Sequence, residues 1–323
     1  MSEVHSKRLA SLSKVADATK ALAVADVGTN DLKLVGAALF DLRDAFVMFA
    51  PFKARRKVTI FGSARVKEGS DLYLETSEAA RLLAEANWMV VTGGGPGVMK
   101  AGMQGAGADM SFGVNISLPF ETPASAAIEP FGRNTEMTHF FTRKVMLCKE
   151  SHAFIALPGG FGTMDELFEL LTLSQTGKCD LAPIVLLDKP GGTYWVGWLR
   201  FVTEQLLADG YIQGHDLAFL HLTDNAKDAV AHIERFYTVF DSCRYFGSNM
   251  VLRLKRKPSC EELTGLNTRF ADLCLSGEIV EVEATSDEVS NGDKLDLYRI
   301  ALVPDRHKNG LLRLMIDEIN LWS

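Results

Sequence analysis

Apolar residues near the start of the chain recur at helical spacing. Residues 6–50 are predicted to form two amphipathic helices. The second helix starts near Asp31, and five apolar residues form one stripe along it: Leu32, Val35, Leu39, Leu42 and Phe46. These helices are predicted to be an N-terminal helical extension, residues 1–50.

The pattern changes after residue 57 to short apolar runs that alternate with helical stretches. Runs at 58–61, 88–92, 112–116, 153–157, 183–187 and 218–222 are predicted as strands. Continuous apolar strands between helices are typical of a parallel sheet buried on both faces. Residues 51–243 are therefore predicted to be an α/β domain with a doubly wound parallel sheet.

The rhythm changes again from residue 244. Strands are predicted at about 250–256, 278–285 and 295–302, with helices at about 260–274 and 309–321. This β-α-β-β-α order predicts a small C-terminal α+β module over residues 244–323.

Composition narrows the class of protein. The net charge of −7 gives no general attraction to nucleic acid or anionic lipid, so an anionic substrate must be held by local donors. The five cysteines show no C-x-x-C spacing and are expected to be reduced thiols, with no metal site. No signal peptide and no run of about 20 apolar residues is visible. We expect a cytoplasmic protein with no membrane or nucleic-acid partner.

Glycine-rich turns follow three of the predicted strands. They lie at residues 62–63, 93–97 and 158–163. Ligands of parallel sheets bind at the carboxyl ends of the strands. A helix N-terminus offers unpaired N–H groups and partial positive charge there, and glycine lets phosphate approach the backbone. Two such loops on one sheet edge are expected to grip a phosphorylated ligand.

Familiar nucleotide motifs fit these loops poorly. Val98 stands where a dinucleotide fingerprint needs its third glycine, and neither loop carries the Gly-Lys-Ser/Thr of a P-loop. NAD and ATP are therefore disfavoured, and no cofactor is expected. Two structural interpretations stay open. Residues 93–97 also fit a tight turn with Pro96 at the first helical position. Thr163 and Glu166 also fit a capping box, in which Glu166 bonds back to the Thr163 N–H.

At this point the motifs identify a resemblance. Residues 158–166 (Pro-Gly-Gly-Phe-Gly-Thr-Met-Asp-Glu), preceded by Arg143 and Lys144, resemble the PGGxGTxxE and RK signatures of the LOG ("Lonely Guy") family. The similarity extends over about residues 57–240. Members of the LOG family are cytokinin riboside 5′-monophosphate phosphoribohydrolases, and they are often mislabelled as lysine decarboxylases. Residues 61–65 and 118–121 are similar to the longer bacterial branch of that family.

The resemblance implies that residues 51–243 form a Rossmann-like, nucleotide-binding catalytic domain. It also implies a function and a set of site residues. The expected reaction hydrolyses the N-glycosidic bond of a purine nucleoside 5′-monophosphate to free base and ribose 5-phosphate, without metal or cofactor. Arg143 and Glu166 match the pair regarded as catalytic. The matching substrate contacts are Glu121, Arg143, Lys144, Gly160, Phe161, Gly162, Thr163, Met164, Asp165, Glu166 and Thr172. The glycine-rich turns add Gly62, Ser63, Gly94, Gly95 and Gly159 to this predicted set.

Elementary chemistry assigns roles within this set. Cleavage of an N-glycosidic bond builds an oxocarbenium-like cation on the ribose, which a carboxylate near C1′ can stabilise. Glu166 is predicted to do this and to activate the water, while the planar guanidinium of Arg143 holds phosphate or a carboxylate. The N–H groups of residues 160–163 and Lys144 are expected at the phosphate, and Glu121 at the ribose hydroxyls.

Three functions remain to be separated. The leading one is an N-glycosidase acting on cytokinin-type monophosphates, on AMP, or on both. Residues 122–125 (Thr-Pro-Ala-Ser) depart from the Gln-x-Pro-Asn expected in the longer branch, which leaves base selectivity open. The alternative is a non-catalytic carrier of a nucleotide or phosphorylated cofactor with a Rossmann-like fold. A lysine decarboxylase is the weakest, because no motif supports a pyridoxal-bearing lysine. The resemblance also implies a homo-oligomer, a dimer or hexamer.

Overall fold

The computed structural model describes residues 3–117 and 132–322. Two long helices, α1 (Glu3–Val24) and α2 (Thr29–Phe49), precede the first strand. Seven parallel strands then alternate with helices over residues 57–236. The strands are β1 (Lys57–Phe61), β2 (Met89–Thr92), β3 (Ser111–Ile116), β4 (Arg133–Met137), β5 (Ala153–Ala156), β6 (Ile184–Leu187) and β7 (Leu220–Thr223). The helices are α3 (Asp71–Glu85), α4 (Val98–Ala106), α5 (Phe140–Lys149), α6 (Phe161–Gln175), α7 (Tyr194–Phe201) and α8 (Ala226–Phe236).

The strand order creates one reversal point in the sheet. The order is β4-β3-β2-β1-β5-β6-β7, and β1 pairs in parallel with both β2 and β5. Every residue of β1, β2, β5 and β6 is buried, as a sheet covered by helices on both faces requires. The predicted Rossmann-like sheet is confirmed. In such a sheet a ligand site is expected between β1 and β5, where successive strands stop being added on one side of β1 and start being added on the other.

One strand of this sheet, β4, was not predicted. Its sequence, Arg-Asn-Thr-Glu-Met, contains a single apolar residue, and its five positions alternate in burial up to the buried Met137. It lies at the edge of the sheet and pairs only with β3. An edge strand buries fewer side chains, so no apolar run marked it in the sequence.

The predicted helix α2 is present, but its predicted apolar stripe is only partly buried in the single chain. An amphipathic helix buries its apolar stripe, yet Leu32, Leu39 and Phe46 remain 42%, 41% and 44% exposed. The buried positions are instead Asp41, Ala45 and Phe49, which follow one another at intervals of four residues. The helix therefore packs with a narrow face that contains a carboxylate. The reason is that Asp41 accepts hydrogen bonds at the start of α5.

The C-terminal part is a four-stranded antiparallel sheet with helices. Its elements are β8 (Phe240–Phe246), β9 (Asn249–Leu254), α9 (Cys260–Arg269), β10 (Cys274–Glu281), α10 (Ser286–Asn291), β11 (Tyr298–Pro304) and α11 (Asn309–Ile319). The strand order is β10-β11-β9-β8. The strand β8 was not predicted, and the boundary placed between residues 243 and 244 falls inside it.

This module packs tightly on the Rossmann-like domain. One hydrophobic cluster contains Ile60 and Val185 of the first sheet together with Leu252 of the second. Asn320 Oδ1 accepts hydrogen bonds from the N–H groups of Val239 and Phe240, both at 2.9 Å, and so fixes the entry to β8. The two parts therefore share one core. The described residues include no helix with the length and apolar character needed to cross a bilayer.

Candidate active site

Three glycine-rich loops meet at the carboxyl ends of β1, β2 and β5. The Ser63 N–H donates to the Pro158 carbonyl at 3.1 Å, and the Val98 N–H donates to the Ser63 carbonyl at 3.1 Å. Gly97 adopts a positive φ of 66°, and a Cβ there would lie 2.5 Å from the Ser63 carbonyl oxygen. The loop at residues 93–97 is thus a tight turn at the edge where the sheet reverses. Pro96 is not the first helical residue, because α4 begins at Val98 with Gly97 as its N-cap.

The N-terminus of α6 opens into this edge. Gly160 is its N-cap residue, and no side chain caps the helix, so the N–H groups of its first turn lack intrahelical partners. Gly159 approaches closely, since a Cβ there would lie 2.0 Å from Thr163 Oγ1. Tyr194 Oη donates to the Gly159 carbonyl at 2.5 Å and holds the loop in place. This corner therefore has the open donors and close backbone approach that an anion site needs.

The capping-box interpretation of Glu166 is wrong. The helix begins at Phe161, so Thr163 already lies inside its first turn and does not stand at the N-cap. The Glu166 carboxylate instead faces Arg143 of α5, with 3.5 Å between Oε1 and Nη1. Burial raises the pKa of Glu166, and the Arg143 guanidinium offsets this only in part. A largely buried carboxylate with a raised pKa and cations beside it is a candidate acid–base group.

Arg143 is held by backbone carbonyls as well as by Glu166. Its Nε donates to the Val114 carbonyl at 2.9 Å, and its Nη2 donates to the Gly93 carbonyl at 3.4 Å. A Cβ on Gly93 would lie 1.8 Å from Nη2, so glycine is required for this approach. The guanidinium is therefore fixed in orientation by strand β3 and by the loop after β2 before any ligand binds.

A residue of the N-terminal extension anchors the helix that carries Arg143. Asp41 of α2 is 5% exposed, and its carboxylate accepts four hydrogen bonds at the start of α5. The donors are the N–H groups of Thr138 (2.9 Å) and His139 (3.3 Å) and the hydroxyls of Thr138 (3.0 Å) and Thr142 (2.8 Å). Asp41 thus satisfies two backbone donors just before this helix and adds a favourable charge at its N-terminus. Sequence reasoning missed it, because an aspartate on a surface helix gave no signal of burial.

We expect Asp41→Ala to lower the free energy of unfolding by about 1–3 kcal/mol, because buried donors at the start of α5 lose their acceptor. Amide hydrogen exchange should speed up in residues 138–143, while the matched variant Asp44→Ala, exposed on the same helix, should change neither quantity. Denaturant titration and hydrogen-exchange mass spectrometry measure both effects. Unchanged exchange in α5 would show that Asp41 does not anchor it.

A cavity of about 770 Å³ lies in front of these groups. The predicted site residues that line it are Gly62, Ser63, Arg143, Gly159, Gly160, Phe161, Gly162, Thr163, Met164, Asp165 and Glu166. It is also lined by residues that the sequence analysis did not select, among them Arg65, Gly93, Met99, Phe140 and Tyr194. Arg65 lies within the run that carries the resemblance, so its position was a usable signal. Nothing local marked Tyr194, because its role depends on the contact with Gly159.

Four predicted site residues do not line this cavity in the single chain. Gly94 and Gly95 belong to the loop after β2, but only its first residue, Gly93, reaches the cavity. Lys144 turns away and bridges Asp165 at 2.7 Å and Glu169 at 2.8 Å. The exposed Thr172 donates its hydroxyl to the Phe168 carbonyl. Glu121 lies outside the described residues. Among those that are described, no group of three or more His, Cys, Asp or Glu side chains is placed to hold a metal ion.

Comparison with known proteins bears on this site. A family model described as "Possible lysine decarboxylase" matches residues 96–233, which include Arg143 and Glu166. The chain is 28% identical over 184 residues to cytokinin riboside 5′-monophosphate phosphoribohydrolase LOG3 of Arabidopsis thaliana, covering 57% of this chain and 84% of the relative. It is 31% identical over 119 residues to LOG7 of the same plant, covering 37% of this chain and 53% of the relative. The Rossmann-like domain is therefore similar to proteins of the LOG family.

The similarity to the LOG family lies in the central domain. A solved structure of the molybdenum cofactor carrier protein from Chlamydomonas reinhardtii also matches 56% of this chain and 97% of its own, at 19% identity and a TM-score of 0.38. A likeness of that size does not bear on function. The relatives named as phosphoribohydrolases match only part of this chain, and α2, which anchors α5, lies outside the segment that the family model matches.

Proposed function

We propose that this protein hydrolyses the N-glycosidic bond of a purine nucleoside 5′-monophosphate, releasing the free base and ribose 5-phosphate. The observation that carries this proposal is the Arg143–Glu166 pair, at 3.5 Å, in the same cavity as the open N-terminus of α6. Binding of such a substrate requires a phosphate site, and its hydrolysis requires a carboxylate that can act as a base, for which the raised pKa of Glu166 is suited.

The 5′-phosphate is assigned to the N-terminus of α6. Free N–H groups in the first turn of this helix and its dipole favour an anion, and the loop around Gly159 leaves room for close approach. Ser63, hydrogen-bonded through its N–H to Pro158, supplies a second loop on the same side of the cavity. Arg65 adds a cation to the lining. A chain with net charge −7 thereby gains an anion site from local donors.

Glu166 is assigned to the reacting centre. As the C1′–N bond breaks, its carboxylate stabilises the positive charge that develops on the ribose and takes a proton from the attacking water. The water oxygen bonds to C1′, the bonding pair leaves with the base, and a proton returns to the base nitrogen. Arg143, oriented by Val114 and Gly93, favours the ionised form of Glu166 and holds its carboxylate in position.

The class of base is proposed from the relatives and from the rim of the cavity. The curated relatives are named for cytokinin riboside 5′-monophosphate, which carries a substituted adenine. Phe161 is 96% exposed at the cavity, and the ring of Phe140 lines it as well. Aromatic faces of this kind stack on purine rings. We therefore include both AMP and cytokinin-type monophosphates as substrates.

Incubation with AMP and with isopentenyladenosine monophosphate tests this proposal. We expect free adenine or isopentenyladenine to appear together with equal amounts of ribose 5-phosphate, as measured by chromatography. The unphosphorylated nucleosides serve as matched controls and should react far more slowly, because they lack the group that α6 holds. Nucleotide binding without release of base would overturn the proposal in favour of a non-catalytic carrier.

A further inference from the structure

A second cavity, of about 700 Å³, lies between the Rossmann-like domain and the C-terminal module. The helices α5 and α6 and residues 177–181 form one wall, and β8, β9 and α11 form the other. The glycines that line the candidate active site are Gly62, Gly93, Gly159, Gly160 and Gly162. None of them lines the second cavity, so the second cavity is distinct from the candidate active site. Its volume lies within the range of small-molecule sites, and junctions between domains are a frequent location for them.

The second cavity combines an apolar floor with a basic rim. Phe154, Met250 and Leu312 are buried and form part of its floor. Four cationic side chains line it: Lys144, Lys149, Lys178 and Arg244. Among the described residues that line it, two are carboxylates, Glu169 and Asp180, while Glu150 pairs with Lys149 and Asp293 with Arg244 from outside the lining. Such a lining matches a ligand with an apolar body and a negatively charged group.

The cysteines of the second cavity do not offset its positive charge. Cys148, Cys179 and Cys243 all line it, and burial raises the pKa of each thiol, to about 12 for Cys148 and Cys243. Burial also raises the pKa of Asp180, against the effect of Arg244. The thiols are therefore neutral at physiological pH and extend the apolar surface.

The second cavity is connected to the candidate active site through Lys144. A narrow cleft lined by Lys144, Cys148, Glu166 and Glu169 lies between the two cavities. The ammonium group of Lys144 bridges Asp165, which lines the active-site cavity, and Glu169, which lines the second cavity. The positive charge of Lys144 also lowers the pKa of Glu166, although burial outweighs it.

We propose that the second cavity is a regulatory site for a small organic anion with a ring-sized apolar body, and that its occupation inhibits the active site. The inhibitory part rests on the proposed hydrolase function, whereas the binding part does not. An anion near Lys144 competes with Asp165 and Glu169 for the ammonium group and weakens its effect on Glu166. The pKa of Glu166 then rises further, and a smaller fraction of the protein carries the ionised carboxylate.

Binding is tested with three naphthalene probes of one shape. We expect 1-naphthoate and 1-naphthyl phosphate to bind, and the neutral 1-naphthylmethanol to bind at least about tenfold more weakly, as measured by isothermal titration calorimetry. Excess ribose 5-phosphate is present throughout to occupy the proposed phosphate site at the N-terminus of α6. Comparison of the first two probes shows whether carboxylate or phosphate is the preferred anion. Equal affinity for the neutral probe, or no saturable binding, would overturn the proposal.

Two double variants locate the bound probe. Lys178→Ala with Arg244→Ala removes two cations of the rim and should weaken the preferred anion at least about tenfold, as expected for lost charge-assisted hydrogen bonds. Lys227→Ala with Arg200→Ala removes the same two charges from exposed sites that line neither cavity and should leave affinity unchanged. Equal weakening by both pairs would show attraction to overall charge and no site in the second cavity.

The inhibitory link has its own measurement. With the preferred anion bound, base release should fall about fivefold on the acid limb of the pH–rate profile and recover at higher pH. If the protein binds the anion but its pH–rate profile does not change, the proposed inhibition is wrong and the proposed binding site is not affected. A protein that binds the anion but releases no base under any condition would instead refute the proposed hydrolase function.

Discussion

Replacement of Glu166 by glutamine should lower the rate of base release by about 10²–10⁴-fold, the usual contribution of a general base. The amide keeps the shape of the side chain but has no negative charge to stabilise the ribosyl cation and no basic oxygen for the water. Nucleotide affinity should change little, because the phosphate is assigned to the N-terminus of α6. Chromatographic rate measurements and calorimetric binding to the same variant separate the two quantities.

The exposed Glu204→Gln is a suitable control for that experiment, because it makes the same chemical change at a residue that does not line the cavity. Its turnover should match that of the unmodified protein. If Glu166→Gln lost less than tenfold in turnover, Glu166 would not be the reacting carboxylate. If it lost nucleotide binding to the same extent as turnover, the phosphate assignment would fail instead.

Replacement of Arg143 should have the second largest effect and should separate charge from geometry. Arg143→Lys keeps the positive charge but loses the planar group that contacts Val114, Gly93 and Glu166 together. We expect turnover to fall about 10²-fold, as for the loss of one positioned donor, with the acid limb of the pH–rate profile in place. Steady-state rates over a pH series measure both.

Arg143→Gln removes the charge as well, and the direction of its pH effect follows from the surroundings of Glu166. Burial raises the pKa of that carboxyl, and Arg143 partly opposes the rise. Without the cation the pKa rises further. Since the ionised form is the active one, the rate increases with pH through this pKa, and the acid limb moves to higher pH. An acid limb that stays in place in Arg143→Gln would contradict the assignment of Glu166 as base.

The N-terminal extension takes part in the site without touching the cavity. Asp41 fixes the start of α5, and Arg143 lies one turn further along that helix. The family model begins at residue 96, so this support comes from a part of the chain that it does not match. The matched segment alone therefore lacks the element that anchors the helix carrying Arg143.

The sequence by itself determined the central fold and the core of the site. Strands β1, β2, β5 and β6 are buried along their whole length, so each appeared as a short, largely apolar run between helical stretches. The turn proposed to bind phosphate and Glu166 are contiguous over residues 158–166, and one strand-to-helix corner brings them together. Features encoded within one local segment are visible in its pattern of residues.

Only the tertiary structure decided which faces of the helices meet and which distant segments touch. Lys144 follows Arg143 directly, but successive residues of a helix point about 100° apart, so one reaches the cavity and the other bridges Asp165 and Glu169. Asp41 is buried because α5 begins against it, a contact between residues about one hundred positions apart. Local periodicity records how polar a face is, whereas packing against remote elements determines what that face contacts.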